Sequence, residues 1–170
     1  MVTRTLTLLR HGDALTATPS AGDYHRQLSE RGTDDIQRLL KKCLHINLRA
    51  DWIYASPAAR TRSSAQPFES AWNCISVENA DLYLAHEDQL LSTLRQTPAD
   101  VAHVLMVGHN PGLSYLASLL NNEQQLIELP TAALASFQTS AEWLNLAHRS
   151  AALTLKLAPA DYWGLAMYAR

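Results

Sequence analysis

Hydrophobic residues in this chain come mostly in short runs, separated by polar, turn-forming residues. Residues 5–9 (TLTLL) are apolar and β-prone without a helical period, which predicts a buried strand. A polar loop follows over residues 16–27, marked by Pro19, Gly22 and Asp23. Ser29 is placed to cap a helix over residues 30–47, where Ile36, Leu39, Leu40, Cys43 and Leu44 recur at helical spacing. Arg38, Lys41 and Lys42 take the solvated face of that helix. Residues 52–55 (WIYA) predict a second strand and residues 58–72 a helix. Residues 75–77 predict a third strand, 78–88 an irregular acidic stretch and 88–97 another helix. Residues 104–107 (VLMV) predict a further buried strand that breaks at Gly108-His109-Asn110-Pro111, with a helix over 111–120.

Residues 134–138 and 152–157 read as strands. In the second, Leu153, Leu155 and Leu157 alternate with Thr154 and Lys156, which gives one buried and one wet face. These two predict an antiparallel pair at one side of a sheet. The tail, with Trp163, Met167 and Tyr168, reads either as a short packed helix or as a frayed end. Strands alternating with helices imply an α/β fold, with a largely parallel sheet and helices on both faces.

Composition bounds this picture. A chain of 170 residues, 47% hydrophobic, suits one domain over 1–170, in which the packing of residues 159–170 stays open. A net charge of -2 carries no basic footprint for nucleic acid. No apolar run approaches the ~20 residues of a membrane span. Met1 leads almost directly into the first strand without a hydrophobic leader. Cys43 and Cys74 form no Cys-x-x-Cys or metal-type spacing and read as reduced core thiols. A cytoplasmic protein is the expectation.

The candidate chemistry lies where three predicted strands end. The first ends at Arg10-His11-Gly12-Asp13, a cluster that a core strand normally excludes. The second ends at Ser56-Pro57, with Arg60 and Arg62 in the first turns of the next helix. The buried strand of residues 104–107 ends at Gly108-His109-Asn110-Pro111. Open α/β sheets bind ligands at the carboxyl ends of their strands. Ser56 and Asn110 suit helix N-caps, and Pro57 and Pro111 suit the first helical position. A helix start favours an anion, and arginines donate bidentately to phosphoryl oxygens. A neutral imidazole can attack phosphorus and hold the phosphoryl group covalently, while a protonated one can donate to its oxygens. His25, His45, His103 and His148 lack this setting and read as ordinary surface or satisfied core residues. Arg62 reads equally as a clamp or as cover for the helix surface. A histidine metal site is disfavoured, because adjacent arginines repel a cation and no carboxylate–histidine set has ligand spacing. No metal or cofactor is expected.

Arg10-His11-Gly12 after a hydrophobic strand resembles the signature of the histidine phosphatase superfamily, which also contains the cofactor-dependent phosphoglycerate mutases. The run Ser56-Pro57-Ala58-Ala59-Arg60-Thr61-Arg62-Ser63-Ser64-Ala65 resembles the second block of that family, and residues 104–109 resemble its third, a strand followed by Gly-His. Leu28-Ser29-Glu30-Arg31-Gly32 resembles the family's segment before its first long helix. The likeness spans residues 5–157 with all blocks in order. Within the superfamily the chain looks most like the small bacterial phosphohistidine phosphatases, through Arg10–Ala14, His109-Asn110-Pro111-Gly112, and residues 80–91 and 131–136. The resemblance implies a three-layer α/β/α, phosphoglycerate mutase-like fold: a mostly parallel central sheet with an antiparallel edge. It also implies that His11 is the phosphorylated nucleophile and that Arg10, Arg60 and His109 form the phosphate pocket.

One block departs from many relatives. The superfamily's mutases and many of its small-molecule phosphatases carry a glutamate general acid that has no clear counterpart here. Glu87 either approaches the site from a loop or only starts the helix with Asp88, where acids suit the dipole. Asp13 is the other candidate acid, or else it fixes the local loop or accepts from Arg10. A missing acid favours cleavage of a P–N bond, because an alkoxide needs a proton that a phosphorylated imidazole needs less.

The expected activity is removal of the phosphoryl group from phosphohistidine in a partner protein, a phosphotransfer domain or carrier, through a covalent intermediate on His11. The loop of residues 16–27 is the expected partner-contacting edge, and the assembly a monomer or weak oligomer. The nearest alternative is the same chemistry on a small phosphate ester. A phospho-binding regulatory module without turnover is the other.

Overall fold

The computed structural model describes residues 2–19, 22–123 and 125–163. Six strands form one mixed sheet: β1 (Arg4–Arg10), β2 (Trp52–Ala55), β3 (Ile75–Glu78), β4 (His103–Gly108), β5 (Leu134–Thr139) and β6 (Ala152–Leu157). Their order across the sheet is β3-β2-β4-β1-β5-β6. β3, β2, β4 and β1 run parallel, whereas β5 is antiparallel to both β1 and β6. The expected α/β class, mostly parallel sheet and antiparallel edge are all present.

Alternation along the central strands sorts side chains onto two faces. Leu6 and Leu8 of β1 and Val104 and Met106 of β4 join one core. Leu9 of β1 and Leu105 and Val107 of β4 join the other. The first core is covered by α3 (Glu87–Leu94) and α4 (Gly112–Leu120), through Leu90, Leu94, Leu113 and Leu116. The second is covered by α1 (Glu30–His45), α2 (Ala59–Trp72) and α5 (Pro159–Trp163), through Ile36, Leu39, Phe68, Trp72 and Tyr162. Burial on both faces explains why β4 reads as a continuous apolar run and not as an alternating one. In the edge strand β6, Leu157 is buried while Leu153 and Leu155 are half-buried.

Helix boundaries follow local chemistry. Ser29 caps α1 as expected, its hydroxyl accepting from the Gly32 N–H. α1 stops at His45, two residues before the expected end, and Asn47 sits in the left-handed region (φ 57°). Ser56 does not cap α2, nor is Pro57 its first residue; Ala58 takes the N-cap position without a side-chain bond. The Ser56 hydroxyl is engaged by His109 instead, and Thr61 Oγ1 closes the first turn by donating to the carbonyls of Ser56 and Ala58. Pro111 occupies the N-cap position of α4, not its first helical position, and Asn110 Oδ1 accepts from Ser114 one turn on. The irregular stretch before α3 contains a short 3₁₀ turn, Ala80–Leu82, and α3 ends at Leu94, short of Thr97.

Cys43 is buried, which pushes its thiol up to about 12, but Cys74 is only half-buried and so is not a core thiol. α5 packs on α1, with Trp163 Nε1 donating to Asp35 Oδ1 and its ring under the Arg38 guanidinium. Met167 and Tyr168 lie outside the described residues.

Gly32 is where α1 presses on the turn after β1. A Cβ there would lie 2.0 Å from the Asp13 carbonyl oxygen, so the helix start must shift to admit it. Gly32→Ala should therefore destabilise the fold by about 1–3 kcal/mol in urea unfolding. An unchanged midpoint would show that the start of α1 moves freely against β1.

Candidate active site

β2, β4 and β1 are neighbours, so the three polar strand ends lie side by side. Arg10 pairs in register with Gly108, and the His11 N–H donates to the Gly108 carbonyl at 3.2 Å. His11 and His109 are thereby brought to a ring separation of 5.2 Å at an angle of 63°. α2 delivers Arg60 from the third side. Its first turns are tied to β1 through Ser64, whose hydroxyl donates to the Arg60 carbonyl and accepts from the Gly12 N–H.

Arg60 is 2% exposed, and its donors organise the site. Nε donates to His11 Nε2 at 3.2 Å, and Nη2 to His109 Nδ1 at 3.2 Å. Nη1 donates to the Asp23 carbonyl at 2.7 Å and Nη2 to Asp23 Oδ2 at 2.9 Å. The side edge of the guanidinium thus faces the histidines, and its end edge is held by Asp23.

These contacts fix both imidazole tautomers. His11 Nδ1 lies 2.7 Å from the Gly12 carbonyl, which can only accept, so Nδ1 carries the proton and Nε2 presents a lone pair. His109 Nδ1 faces a guanidinium, which can only donate, so in the neutral ring Nε2–H donates to Ser56 Oγ at 2.8 Å. Burial first, then Arg60, Arg10 and Arg26, push His11 down to about 4 against the raising effect of the Gly12 carbonyl. Burial, then Arg60, His11 and Arg10, push His109 down to about 3, opposed by Asp23. Arg10 lies at the end of β1 with Nη1 on the Leu129 carbonyl at 3.1 Å, and burial lowers its pKa. A groove of about 530 Å³ opens beside it, lined by Asn110, Tyr115, Leu126 and Glu128.

Neither candidate acid has a hydrogen bond to His11, Arg60 or His109 among the described residues. Asp13 Oδ2 accepts from Ser29 Oγ at 2.6 Å and its carbonyl from the Ser29 N–H, so it fastens the start of α1. Glu87 sits in the first turn of α3, and among the described residues no hydrogen bond joins it to His11, Arg60 or His109. Arg62 points away and pairs with Glu78 at 3.6 Å, so it covers the helix surface. His103 is satisfied by Thr7 Oγ1 at 2.8 Å. Among the described residues no group of three or more His, Cys, Asp or Glu could hold a metal ion, and no helix is long and apolar enough to cross a membrane.

A family model described as histidine phosphatase superfamily (branch 1) matches residues 6–83, which include the Arg10-His11-Gly12 turn and Arg60. Over these residues the chain matches the histidine phosphatase superfamily. Among solved structures, the chain is similar to a candidate phosphohistidine phosphatase SixA from Nakamurella multipartitia, at 28% identity and a TM-score of 0.80, over 94% of this chain and 98% of that one. A candidate SixA from Agrobacterium tumefaciens is similar at 26% identity and a TM-score of 0.77, over 92% and 99%. A protein histidine phosphatase SixA complexed with tungstate shares the fold at 20% identity and a TM-score of 0.78, over 92% and 98%. A search of curated protein sequences gave no match.

Two participants in the site, Asp23 and Tyr83, went unseen in the sequence, and a third, Ser56, was expected only as a helix cap. Asp23 accepts from Arg60, from Arg26 at 3.2 Å and from the Tyr83 hydroxyl at 2.7 Å. Tyr83 stands edge-on to His109, with ring centres 5.6 Å apart. Ser56 orients His109. Gly22-Asp23 with Arg26 three residues on was the available signal for Asp23, since that spacing suits an ion pair.

The lowered imidazoles set a pH dependence. In the unfolded chain both titrate near 6.5, so below that pH the unfolded state binds more protons than the folded one. The stability they contribute is complete above about 6.5 and is lost as pH falls towards about 4 for His11 and about 3 for His109. NMR titration should show no protonation step for either ring between about pH 6 and 8, while the urea midpoint falls on acidification. A step near 6.5 for His11 would contradict the geometry.

Proposed function

We propose that this chain is a phosphohistidine phosphatase acting on a partner protein, with His11 as the phosphorylated nucleophile. The observation that carries the chemistry is the orientation of His11. Its Nδ1 proton is held by the Gly12 carbonyl, and its Nε2 lone pair faces the side edge of Arg60. A phosphoryl group at that edge meets Arg60 and lies at the end of the strand bearing Arg10, and the two guanidiniums neutralise its oxygens. The dianion also favours protonation of His109, reversing the effect of the arginines, so that its Nδ1 donates to the oxygens as charge develops. Nε2 of His11 attacks in line, the substrate nitrogen leaves, and water hydrolyses the phosphorylated His11.

The substrate class rests on the acids. Asp13 is engaged by Ser29 and Glu87 lacks a bond to the site, as described above. Asp23, the carboxylate that does reach the pocket, is pushed down to about 2, first by the Tyr83 hydroxyl and then by Arg26 and Arg60, and is ionised at neutral pH. An ionised carboxylate cannot protonate an alkoxide, and a P–N bond needs no such donor. The two SixA proteins at 28% and 26% identity support the same reading. The groove beside Arg10, with Tyr115 and Leu126 half or more exposed, offers surface to a phosphotransfer domain or carrier protein.

Phosphate release from a phosphohistidine-bearing domain should exceed release from a panel of phosphate esters. Equal or better turnover of a simple ester would overturn the substrate class. His11→Ala should lower turnover by at least on the order of a thousandfold while remaining folded, as read by a cooperative thermal transition. Retained activity would remove His11 as the nucleophile, and a phosphorylated His11 that never releases phosphate would make the protein a binding module.

A further inference from the structure

Residues 22–27 bring a carboxylate to the pocket, an unusual neighbour for a phosphate clamp. Asp23 Oδ2 takes Arg60 Nη2 and the Tyr83 hydroxyl, Oδ1 takes Arg26 Nη1, and the backbone carbonyl takes Arg60 Nη1. The carbonyl already anchors the guanidinium, and a carboxylate beside a phosphoryl dianion adds repulsion. Its side chain is 41% exposed, so it faces the opening. Three side-chain bonds among the described residues leave acceptor capacity on a carboxylate, which has about four lone-pair sites.

Aromatic rings surround the same corner. Tyr24, next to Asp23, stands edge-on to Tyr83 with ring centres 5.1 Å apart, and Tyr83 stands edge-on to His109. Tyr24 is 38% exposed. A carboxylate with two tyrosine rings beside it suits a flat cation. The charged and titratable groups facing this corner are Arg60 from α2, Arg26 and His25 from the loop, Tyr83 from the turn before α3, and His11 and His109 from the strand ends.

We propose that Asp23, Tyr24 and Tyr83 form a leaving-group subsite for a protonated imidazole, in which the Asp23 carboxylate accepts a hydrogen bond from the ring N–H distal to the phosphorylated nitrogen. The inference rests on the phosphohistidine reading above and deepens it. The substrate enters as a phosphoimidazolium. The Nε2 lone pair of His11 forms the new N–P bond as the substrate N–P bond breaks, and that bond's electron pair returns to the substrate nitrogen. The proton stays on the distal nitrogen, so the leaving group is a neutral imidazole and needs no acid. His11, already protonated on Nδ1, becomes the new phosphoimidazolium, with the Gly12 carbonyl on its N–H. The subsite favours the reactive cation and gives nothing to an ester's neutral oxygen.

The test compares kcat/KM for a histidine-phosphorylated peptide and for p-nitrophenyl phosphate, whose leaving group needs no proton. Asp23→Asn keeps an acceptor oxygen for Arg60 and removes the charge. It should slow the peptide on the order of 10- to 100-fold more than it slows the ester, since both reactions use Arg60 and only the peptide's leaving group uses the carboxylate. Its peptide pH profile should lose the alkaline limb at a pH lower by about one unit, because the bound imidazolium has lost its counter-charge. Asp23→Glu should recover part of the peptide activity. Tyr24→Ala leaves the carboxylate on Arg60 and should lower the peptide-to-ester ratio several-fold, so it serves if Asp23→Asn fails to fold. Equal slowing of both substrates would make Asp23 a positioning residue for Arg60 and overturn the subsite. So would an unchanged Asp23→Asn in an enzyme that cleaves the peptide. A wild-type protein that cleaves the ester but not the peptide would overturn the phosphohistidine reading itself, and the subsite with it.

Discussion

The burial of one guanidinium organises this molecule. Arg60 is 2% exposed, and an unpartnered cation there would cost several kcal/mol. Its partners are a carbonyl, a carboxylate and two imidazole lone pairs, supplied by the loop before α1 and by the ends of β1 and β4. The imidazoles can accept only when neutral. Satisfying Arg60 and keeping both histidines deprotonated are therefore one condition. The same contacts that make the cation tolerable leave both imidazoles neutral, with the His11 proton on Nδ1.

The sheet makes this convergence possible. Parallel pairing of β2, β4 and β1 sets three carboxyl ends in a row, although these strands are far apart in sequence. Each end is then tied to its surroundings by a specific bond. Ser64 links α2 to Gly12, and Asp13 takes the start of α1 through Ser29. On the other side, the Ala132 N–H donates to the His11 carbonyl and the Tyr162 hydroxyl to the Ala132 carbonyl, so even α5 braces the His11 backbone.

Period and alternation were enough to read the strands and the main helices, because those patterns report burial directly. β2 and β6 match their expected bounds, and α1 differs only at its frayed end. His11, Arg60 and His109 were legible because polar groups at the ends of apolar strands are expensive unless used, and the structure does bring them together. Arg10 sits at the same strand end but is held by the Leu129 carbonyl, a contact no local pattern announces. Ser56 was misread for a related reason. Its hydroxyl has a local use as a helix cap and a distant one 53 residues away on His109, and only the fold decides between them. Asp13 and Asp23 show the same limit. Both lie in polar turns of similar composition, yet one fastens a helix and the other reaches Arg60, because partner choice depends on where the loop lands.

Burial acts on acids and bases in opposite senses, and here hydrogen bonds, the Tyr83 hydroxyl first, reverse its effect at Asp23 but not at the histidines. Desolvation disfavours charge on every group, so alone it would neutralise Asp23 as well as the histidines. Asp23 instead stays ionised because it accepts from Tyr83, Arg26 and Arg60, while the same cations add to desolvation at His11 and His109. The pocket thus holds Arg10, Arg26 and Arg60 against one carboxylate, with neutral imidazoles between them. In a chain of net charge -2, three cations therefore act together on the imidazole at the end of β1. The arginines and the neutral imidazoles thus depend on one another, and the Asp23 carboxylate at the edge of the pocket balances part of the excess charge.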